Sequence, residues 1–439
     1  MRTSTIYTIA LCLSSYAAAA PKPAPSPDEA NPISSNTFGL TRNRGRSVTR
    51  PRRLRKRGSK ESITTVPLEP VRLGQELTVE IGFGNAYRKA ILDTGSSDTW
   101  LVMTDFQCVN RTSGQNISEE GCAFGPTVDL SSKFHQSPNE HLNISYGTGE
   151  YLFGVTGNSS FTIGNITIPE AQVSLVNRAG WVGDGITSGI LGLAFPALTN
   201  IFQGTTGSQD NMTNRVPTVG VLTNMIANGL IAPLFSLAVS RDSSKTTSAG
   251  LVQLGGILHG TIPSVNSSSS SSFASVRLQK TNELQTSPDP VLEFYTIGLD
   301  SITLSANTTL KSPGQYIVDS GTALNLITID AADAINHAYD PPATIHFPDG
   351  NYIVNCTATP PKVALDIGGQ QFEINAKDMV VPDDGLPEGV CLAGFQAGGD
   401  GSEEQGLLTL GDVFLRNVLA VFDIGAETIE FASRVYYES

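Results

Sequence analysis

Long apolar runs are scarce in this chain of 439 residues, which argues against a membrane-spanning helix, since such a helix needs about 20 apolar residues. The stretch Ile6–Leu13 is too short to span a bilayer. It follows the basic Arg2 and precedes the small residues Ala17–Ala20, a pattern typical of a secretory signal over residues 1–20. The C-terminal residues form neither a prenylation box nor the apolar tail of a GPI signal. We therefore expect a secreted, extracellular protein without a membrane anchor.

Several catalytic signatures are missing as well. The chain has no Gly-x-Ser-x-Gly elbow, no His-Glu-x-x-His helix and no Cys-x-x-Cys metal motif. Gly147 and Gly149 are not followed by the Gly-Lys-Ser/Thr of a phosphate-binding loop. The five histidines are scattered: His135, His141, His259, His337 and His346. We expect neither a metal nor a cofactor.

Cysteines are few, and their use agrees with export. Cys12 lies in the predicted signal, which leaves four cysteines and three possible pairings. We favour Cys108–Cys122 and Cys356–Cys391, because each bridge closes a loop within one half of the chain, worth roughly 3–4 kcal/mol. Surface glycosylation is predicted by nine sequons: Asn110, Asn116, Asn143, Asn158, Asn165, Asn211, Asn266, Asn307 and Asn355.

Positive charge is concentrated in one segment. Residues 1–57 hold 11 of the 28 Lys/Arg and 2 of the 41 Asp/Glu, so the remaining chain has a net charge of −22. We interpret residues 21–57 as a basic pro-segment that is cut after Lys56-Arg57. A nucleic-acid-binding arm is the alternative, and we do not favour it for an exported chain. The acidic body repels itself at neutral pH, which suggests acidic working conditions.

After residue 57 the sequence is typical of strands. Glycine is abundant, aromatic residues make up 7%, and short runs such as Leu77–Phe83 alternate apolar and polar residues. A turn is predicted at Gly84-Asn85, and short helices at residues 219–228 and 331–339. The serine run 267–272 is predicted to be a surface loop or linker.

Two segments of the chain repeat each other. Asp93-Thr94-Gly95-Ser96 and Asp319-Ser320-Gly321-Thr322 each follow an apolar strand and combine aspartate, a hydroxyl residue, glycine and a second hydroxyl residue. About a hundred residues later come Ile190-Leu191-Gly192 and Thr409-Leu410-Gly411. A single Asp-Thr-Gly is a weak signal because it often forms an ordinary turn. Its doubling predicts two related lobes.

The chain resembles the pepsin-like aspartic proteases (family A1), particularly the secreted fungal type, over residues 76–436. Five motifs carry the resemblance: residues 92–100 (LDTGSSDTW), 144–149 (ISYGTG), 189–195 (GILGLAF), 318–322 (VDSGT) and 410–416 (LGDVFLR). The resemblance implies a mostly β, bilobal pepsin-like acid protease fold, with two related β-barrel-like lobes and the active-site cleft between them. We assign residues 58–258 to the N-terminal lobe and residues 259–439 to the C-terminal lobe.

The resemblance also implies the catalytic residues. Asp93 and Asp319 would face each other and share one proton while they activate a water molecule. Ser96 and Thr322 would bind the outer carboxylate oxygens, beside the turn glycines Gly95 and Gly321. Thr94 and Ser320 would brace the two turns against each other. The family more often has threonine at both bracing positions, and serine keeps the hydroxyl.

A flap is implied by the same resemblance. Tyr146 would lie at the tip of a hairpin that closes over the substrate, with Gly147 and Thr148 beside it and Trp100 hydrogen-bonded to Tyr146. Glu150 would either pair with basic substrate side chains or be a solvated charge, and we favour the second interpretation. Many related fungal enzymes have aspartate where Thr148 stands, which weakens any expectation of a Lys or Arg preference.

The function implied is that of a monomeric aspartic endopeptidase acting on protein or peptide substrates, with large apolar side chains around the cut and no nucleic-acid partner. A catalytically inactive pepsin-fold binding or inhibitor protein is the alternative. We do not favour it, because Tyr146 and the aspartate and glycine of both repeated segments, 93–96 and 319–322, are intact.

Overall fold

The computed structural model describes residues 62–130, 133–240, 249–258, 273–281, 289–305, 308–346, 349–399 and 408–434. All of them belong to one compact unit of the chain. The predicted signal, the predicted pro-segment, the serine run, Asn266 and Asn307 lie outside the described residues.

The described chain is mostly β. The strands of its first part are β1 (Thr64–Val71), β2 (Glu76–Phe83), β3 (Ala86–Asp93), β4 (Trp100–Cys108), β5 (His135–Ser145), β6 (Tyr151–Ile163), β7 (Ile166–Gly180), β8 (Gly189–Gly192), β9 (Ile201–Gln203), β10 (Leu234–Val239) and β11 (Gly250–Leu254). Those of its second part are β12 (Phe273–Arg277), β13 (Thr296–Gly298), β14 (Ser301–Leu304), β15 (Thr308–Leu310), β16 (Gln315–Val318), β17 (Asn325–Thr328), β18 (Thr344–Ile345), β19 (Tyr352–Asn355), β20 (Val363–Ile367), β21 (Gln370–Ile374), β22 (Val380–Pro382), β23 (Val390–Ala393), β24 (Phe395–Gly399), β25 (Leu408–Leu410), β26 (Val418–Asp423) and β27 (Thr428–Ser433).

Helices are short and few in the described ranges. They are α1 (Val221–Ala227), α2 (Ile329–His337) and α3 (Asp412–Leu415), with single 3-10 turns at Arg72–Gly74, Glu119–Gly121, Pro196–Leu198, Gly207–Gln209 and Ala376–Asp378. The two helices predicted from the sequence are confirmed, with boundaries shifted by one or two residues. The predicted turn at Gly84-Asn85 is confirmed between β2 and β3, where Gly84 has a φ of 58°.

One large sheet joins the two parts of the chain. Its 14 strands run in the order β12-β27-β26-β10-β11-β1-β2-β3-β8-β4-β7-β6-β5-β9. The first part meets the second where β10 pairs with β26 in antiparallel register, Phe235 opposite Phe422. Three smaller sheets belong to the second part, in the orders β13-β16-β25-β17-β24, β15-β14-β20-β21 and β18-β19-β23-β22.

The repeat seen in the sequence is a repeat of strand pairing. In the first part, β3 runs parallel to β8, β4 runs antiparallel to β8, and β4 runs parallel to β7. In the second part, β16 runs parallel to β25, β17 antiparallel to β25, and β17 parallel to β24. The same three pairings occur in the same chain order, so the chain contains two related halves.

Aromatic side chains fill the core where the halves meet. Phe235 stacks on Phe422 with ring centroids 4.5 Å apart, and Tyr295 contacts both rings edge-on. The buried Tyr295 hydroxyl donates a hydrogen bond of 2.7 Å to the carbonyl of Leu193, just after β8. A side chain of the second half thus supports the segment beside Asp93 in the first.

Both favoured disulfides are present. Cys108–Cys122 and Cys356–Cys391 have Cα–Cα distances of 5.8 and 5.1 Å. Within the described ranges, no helix combines the length and apolarity needed to cross a bilayer.

Candidate active site

Asp93 and Asp319 occupy equivalent positions in the two halves. Asp93 is the last residue of β3, and Asp319 directly follows β16. Both are almost fully buried, at 7% and 6% exposure. Because apolar strands lead into both residues, each carboxyl group is held at the end of a rigid, buried element rather than on a free loop.

The two carboxylates have matching hydrogen bonds. The Ser96 hydroxyl donates to Oδ2 of Asp93 over 2.5 Å, and the Thr322 hydroxyl donates to Oδ2 of Asp319 over 2.6 Å. The backbone N–H groups of Gly95 and Gly321 donate to the respective Oδ1 atoms over 2.7 and 2.8 Å. Each oxygen therefore has a donor that fixes the carboxylate plane.

Glycine is required in both turns because each turn faces the aspartate of the other half. A Cβ atom on Gly95 would lie 2.6 Å from the carboxyl carbon of Asp319, and one on Gly321 would lie 2.6 Å from Oδ1 of Asp93. Real Cβ atoms do not approach other atoms so closely. The two carboxyl groups therefore meet across a gap that only glycine leaves open.

Thr94 and Ser320 connect the two turns through four buried hydrogen bonds. The Thr94 hydroxyl donates to the Val318 carbonyl over 2.8 Å and accepts from the Ser320 N–H over 2.9 Å. The Ser320 hydroxyl donates to the Leu92 carbonyl over 2.6 Å and accepts from the Thr94 N–H over 3.2 Å. The bracing pattern is reciprocal although one residue is threonine and the other serine.

The electrostatics of the pair favour retention of a proton. Burial raises the pKa of Asp93 above its ordinary value, and the charge of Asp319 raises it further, while the hydrogen bonds from Ser96 and Gly95 oppose the shift. Asp412, at the start of α3, has no hydrogen bond to its carboxyl group among the described residues. Burial raises the pKa of Asp412 well above its usual value, against the Arg416 cation, and Asp319 adds to the rise.

The glycines that end the repeated segments pack against the aspartate turns. A Cβ atom on Gly192 would lie 2.6 Å from the backbone carbon of Ser97, and one on Gly411 would lie 2.3 Å from the carbonyl oxygen of Thr322. Leu193 N–H then donates to the Asp93 carbonyl over 2.8 Å. Each aspartate turn is therefore in direct contact with the glycine that follows it about a hundred residues later in the chain.

The segment predicted to be a flap is a hairpin turn between β5 and β6, where Ser145 pairs with Tyr151. The Tyr146 N–H donates to the Glu150 carbonyl, and Gly149 adopts a φ of +83° in the turn. Gly147 and Thr148 occupy the tip between them. The fully buried Trp100 donates from Nε1 to the Tyr146 hydroxyl over 2.8 Å.

Sequence reasoning missed three residues at this site: Trp181, Tyr295 and Asp412. Trp181 packs edge-on against Tyr146 with centroids 5.8 Å apart. Two of the three had an available signal: Trp181 is one of only two tryptophans in the chain, and Asp412 lies within the motif at residues 410–416. The positions of Tyr295 and Asp412 depend on contacts with residues far away in the sequence.

The described sequons differ in their surroundings. Asn110, Asn116, Asn165, Asn211 and Asn355 are exposed, and Asn158 is partly buried. The Asn143 side chain donates from Nδ2 to Oδ2 of the buried Asp210 over 2.7 Å, and a Cβ on Gly207 would lie 2.7 Å from the same nitrogen, so the atom that would carry a glycan is held in a crowded position. Among the residues described, no cluster of three or more His, Cys, Asp or Glu side chains is arranged to hold a metal ion.

Comparison with known proteins agrees with this geometry. Residues 76–434 match the family model for eukaryotic aspartyl protease. The chain is 36% identical over 364 residues to a probable aspartic-type endopeptidase of Aspergillus fumigatus, covering 82% of this chain and 79% of that protein. It is 30% identical to cathepsin E of Aquarana catesbeiana, with 82% and 79% covered, and 26% identical to rhizopuspepsin-4 of Rhizopus niveus, with 81% and 76% covered.

A solved structure shows the same fold. The aspartic proteinase from Irpex lacteus superposes with a TM-score of 0.64 at 22% identity, covering 85% of this chain and 98% of that one. The predicted mostly β, bilobal pepsin-like fold is confirmed. The chain belongs to the eukaryotic aspartyl protease family and is an aspartic-type endopeptidase.

Proposed function

We propose that this endopeptidase is secreted and hydrolyses peptide bonds at acidic pH, through one water molecule activated jointly by Asp93 and Asp319. The observation that carries the proposal is reciprocal. A Cβ added to Gly95 would lie 2.6 Å from the carboxyl group of Asp319, and a Cβ added to Gly321 would lie 2.6 Å from that of Asp93. A Cβ on Gly321 would also lie 3.2 Å from Oδ1 of Asp319, so oxygens of both carboxyl groups border one point in space, which supports their sharing a single water molecule.

The chemistry follows from a shared proton. Two close carboxyl groups cannot both ionise readily, and retention of one proton is a general property of aspartic-protease dyads. The ionised member takes a proton from the water as it attacks the peptide carbonyl carbon. The protonated member donates to the carbonyl oxygen, which yields a neutral tetrahedral diol without an acyl-enzyme. The proton belongs to the coupled pair rather than to one aspartate.

Secretion and acidic working conditions rest on charge and on the N-terminal pattern. Residues 58–439 carry a net charge of −22, so the protein is under less self-repulsion in acid than at neutral pH. The signal-like residues 1–20 support export. We further propose protein or peptide substrates with large apolar side chains around the cut, cleaved by a monomer. Maximal activity near about pH 8 would contradict the acidic part of the proposal.

The test is digestion of a protein substrate in acid, with and without pepstatin, by the wild type, Asp93→Asn and Asp319→Asn. We expect pepstatin to abolish cleavage, and each variant to lose at least about a thousandfold in kcat/KM. Asp105→Asn is the matched control. Asp105 is exposed and adopts a φ of 60°, which asparagine tolerates well. Pepstatin-resistant cleavage, or full activity in either active-site variant, would overturn the mechanism.

A further inference from the structure

The turn between β5 and β6 is fastened from two sides by contacts that catalysis alone does not explain. On one side, Oε1 of Glu150 accepts a hydrogen bond from the backbone N–H of Val182 over 2.9 Å, and Oε2 accepts from the Thr148 hydroxyl over 2.8 Å. On the other side, Arg111 donates from Nη1 to the Thr148 carbonyl over 3.1 Å. Both oxygens of the Glu150 carboxylate therefore have a partner within the protein.

The two anchors belong to one connected surface. Arg111 lies in the loop closed by Cys108–Cys122. Val182 begins a segment that is hydrogen-bonded to the end of that loop, through Gly183 N–H to the Cys122 carbonyl and Gly185 N–H to the Ala123 carbonyl. We call residues 108–125 and 181–187 the disulfide platform.

The platform leaves little room for movement between its two parts. A Cβ atom on Gly183 would lie 2.2 Å from the Ala123 carbonyl oxygen. The Trp181 ring stacks on Phe124, with centroids 5.7 Å apart and planes inclined by 13°. The flap turn is thus attached to a cross-linked and closely packed surface.

Both tryptophans of the chain lie where this surface meets Tyr146. Trp100 donates to the Tyr146 hydroxyl, and Trp181 contacts the Tyr146 ring edge-on. The two indole rings contact each other, with centroids 5.3 Å apart. A displaced flap turn would remove Tyr146 from both indoles, which makes tryptophan fluorescence a reporter of flap position that needs no catalysis.

We propose that Glu150 is a positioning residue that holds the flap turn on the disulfide platform in the arrangement ready for substrate, with Arg111 as a second anchor. This inference rests on the proposed function for its effect on catalysis. A freed turn occupies several positions, so the competent fraction falls and the apparent affinity for substrate falls with it. Because the Glu150 carboxylate is engaged internally, it acts through hydrogen bonding rather than by attracting basic substrate side chains.

The kinetic test compares Glu150→Ala with Glu150→Gln. Alanine removes both hydrogen bonds, and we expect KM to rise about fivefold with kcat changed less than about twofold, the factor expected when two exposed hydrogen bonds each contribute at the low end of the usual range. Glutamine has no charge, but it can accept from Val182 N–H and donate to the Thr148 hydroxyl, so it should recover most of the lost affinity. Glu170→Ala, which removes an exposed acid from β7, is the control for net charge.

The second readout is acrylamide quenching of tryptophan fluorescence in an Asp93→Asn background. We expect Glu150→Ala to increase quenching and Glu150→Gln to restore it toward the parent value. Equal effects of alanine and glutamine, a changed preference for Lys or Arg peptides in Glu150→Gln, or unchanged quenching in Glu150→Ala would each overturn the inference. If the wild type cleaves no peptide, the proposed function fails, and quenching still decides whether Glu150 positions the flap.

Discussion

Replacing Ser320 with alanine tests how the two halves are held in register. The change removes the donor to the Leu92 carbonyl at 2.6 Å and the acceptor for the Thr94 N–H at 3.2 Å. Both backbone groups belong to buried residues, so they are not exposed to bulk solvent. A buried polar group left without its partner costs about 1–3 kcal/mol, so two of them should lower the free energy of unfolding by about 2–6 kcal/mol.

Activity should fall in the same variant, because the lost bonds join the turns that carry Asp93 and Asp319. We expect a decrease in kcat/KM of about tenfold or more, since small displacements of reacting groups are costly. The assay is urea unfolding at the acidic working pH, together with peptide cleavage. Ser320→Thr is the matched control: it keeps the hydroxyl, matches Thr94 in the other half, and should lose less than about 1 kcal/mol. Wild-type stability in Ser320→Ala, or equal losses in both variants, would refute the reasoning.

Three further predictions concern pH, packing and modification. Burial raises the pKa of Glu76 from 4.5 to about 7 despite Arg72, so the folded state binds this proton more tightly than the unfolded state. The resulting stability is complete below about pH 4.5 and is lost as the pH rises to about 7. Glu76→Gln should therefore reduce the pH dependence of the free energy of unfolding, measured with urea across this range, by up to about 3 kcal/mol. Parallel curves for both proteins would contradict this. Gly411→Ala would place a Cβ 2.3 Å from the Thr322 carbonyl oxygen and should lower the free energy of unfolding by more than about 3 kcal/mol in the same assay. Gly298→Ala is the control and should lower it much less, because its Cβ would meet only the end of the Gln279 side chain. Peptide mass spectrometry of the exported protein should find Asn143 without a glycan, because its Nδ2 is bound to Asp210; a fully occupied site would refute that assignment.

Local chemistry made much of the candidate site predictable. Each turn consists of an aspartate, a flanking hydroxyl residue and a glycine within four positions, and the hydrogen bonds from Ser96, Gly95, Thr322 and Gly321 span only two or three residues. The abundance of strands followed from composition and alternating runs, the bilobal fold was implied by the family resemblance, and the two longer helices lie where short helices are predicted. The repeated segment that ends in Gly411 was visible in the sequence. The physical reason for its glycine, close contact with the Thr322 turn, was not.

Other features depended on approaches between distant parts of the chain. The sequence favours the interpretation of Glu150 as a solvated charge. Its hydrogen bond with the Val182 N–H exists only because β7 ends beside the flap turn. Tyr295 supports Leu193 across 102 residues. A sequence pattern records what a residue can donate, accept or bury, but it does not record which distant group the fold brings within about 3 Å.

The sequence by itself determined the chemistry of the two aspartate turns, because the groups that orient each carboxylate are its own neighbours along the chain. Only the tertiary structure decided that the carboxyls of Asp93 and Asp319 meet, since their approach requires each half to present a glycine to the other. It also decided that Glu150 binds within the protein, because a hydrogen bond between segments 32 residues apart depends on how the strands pack.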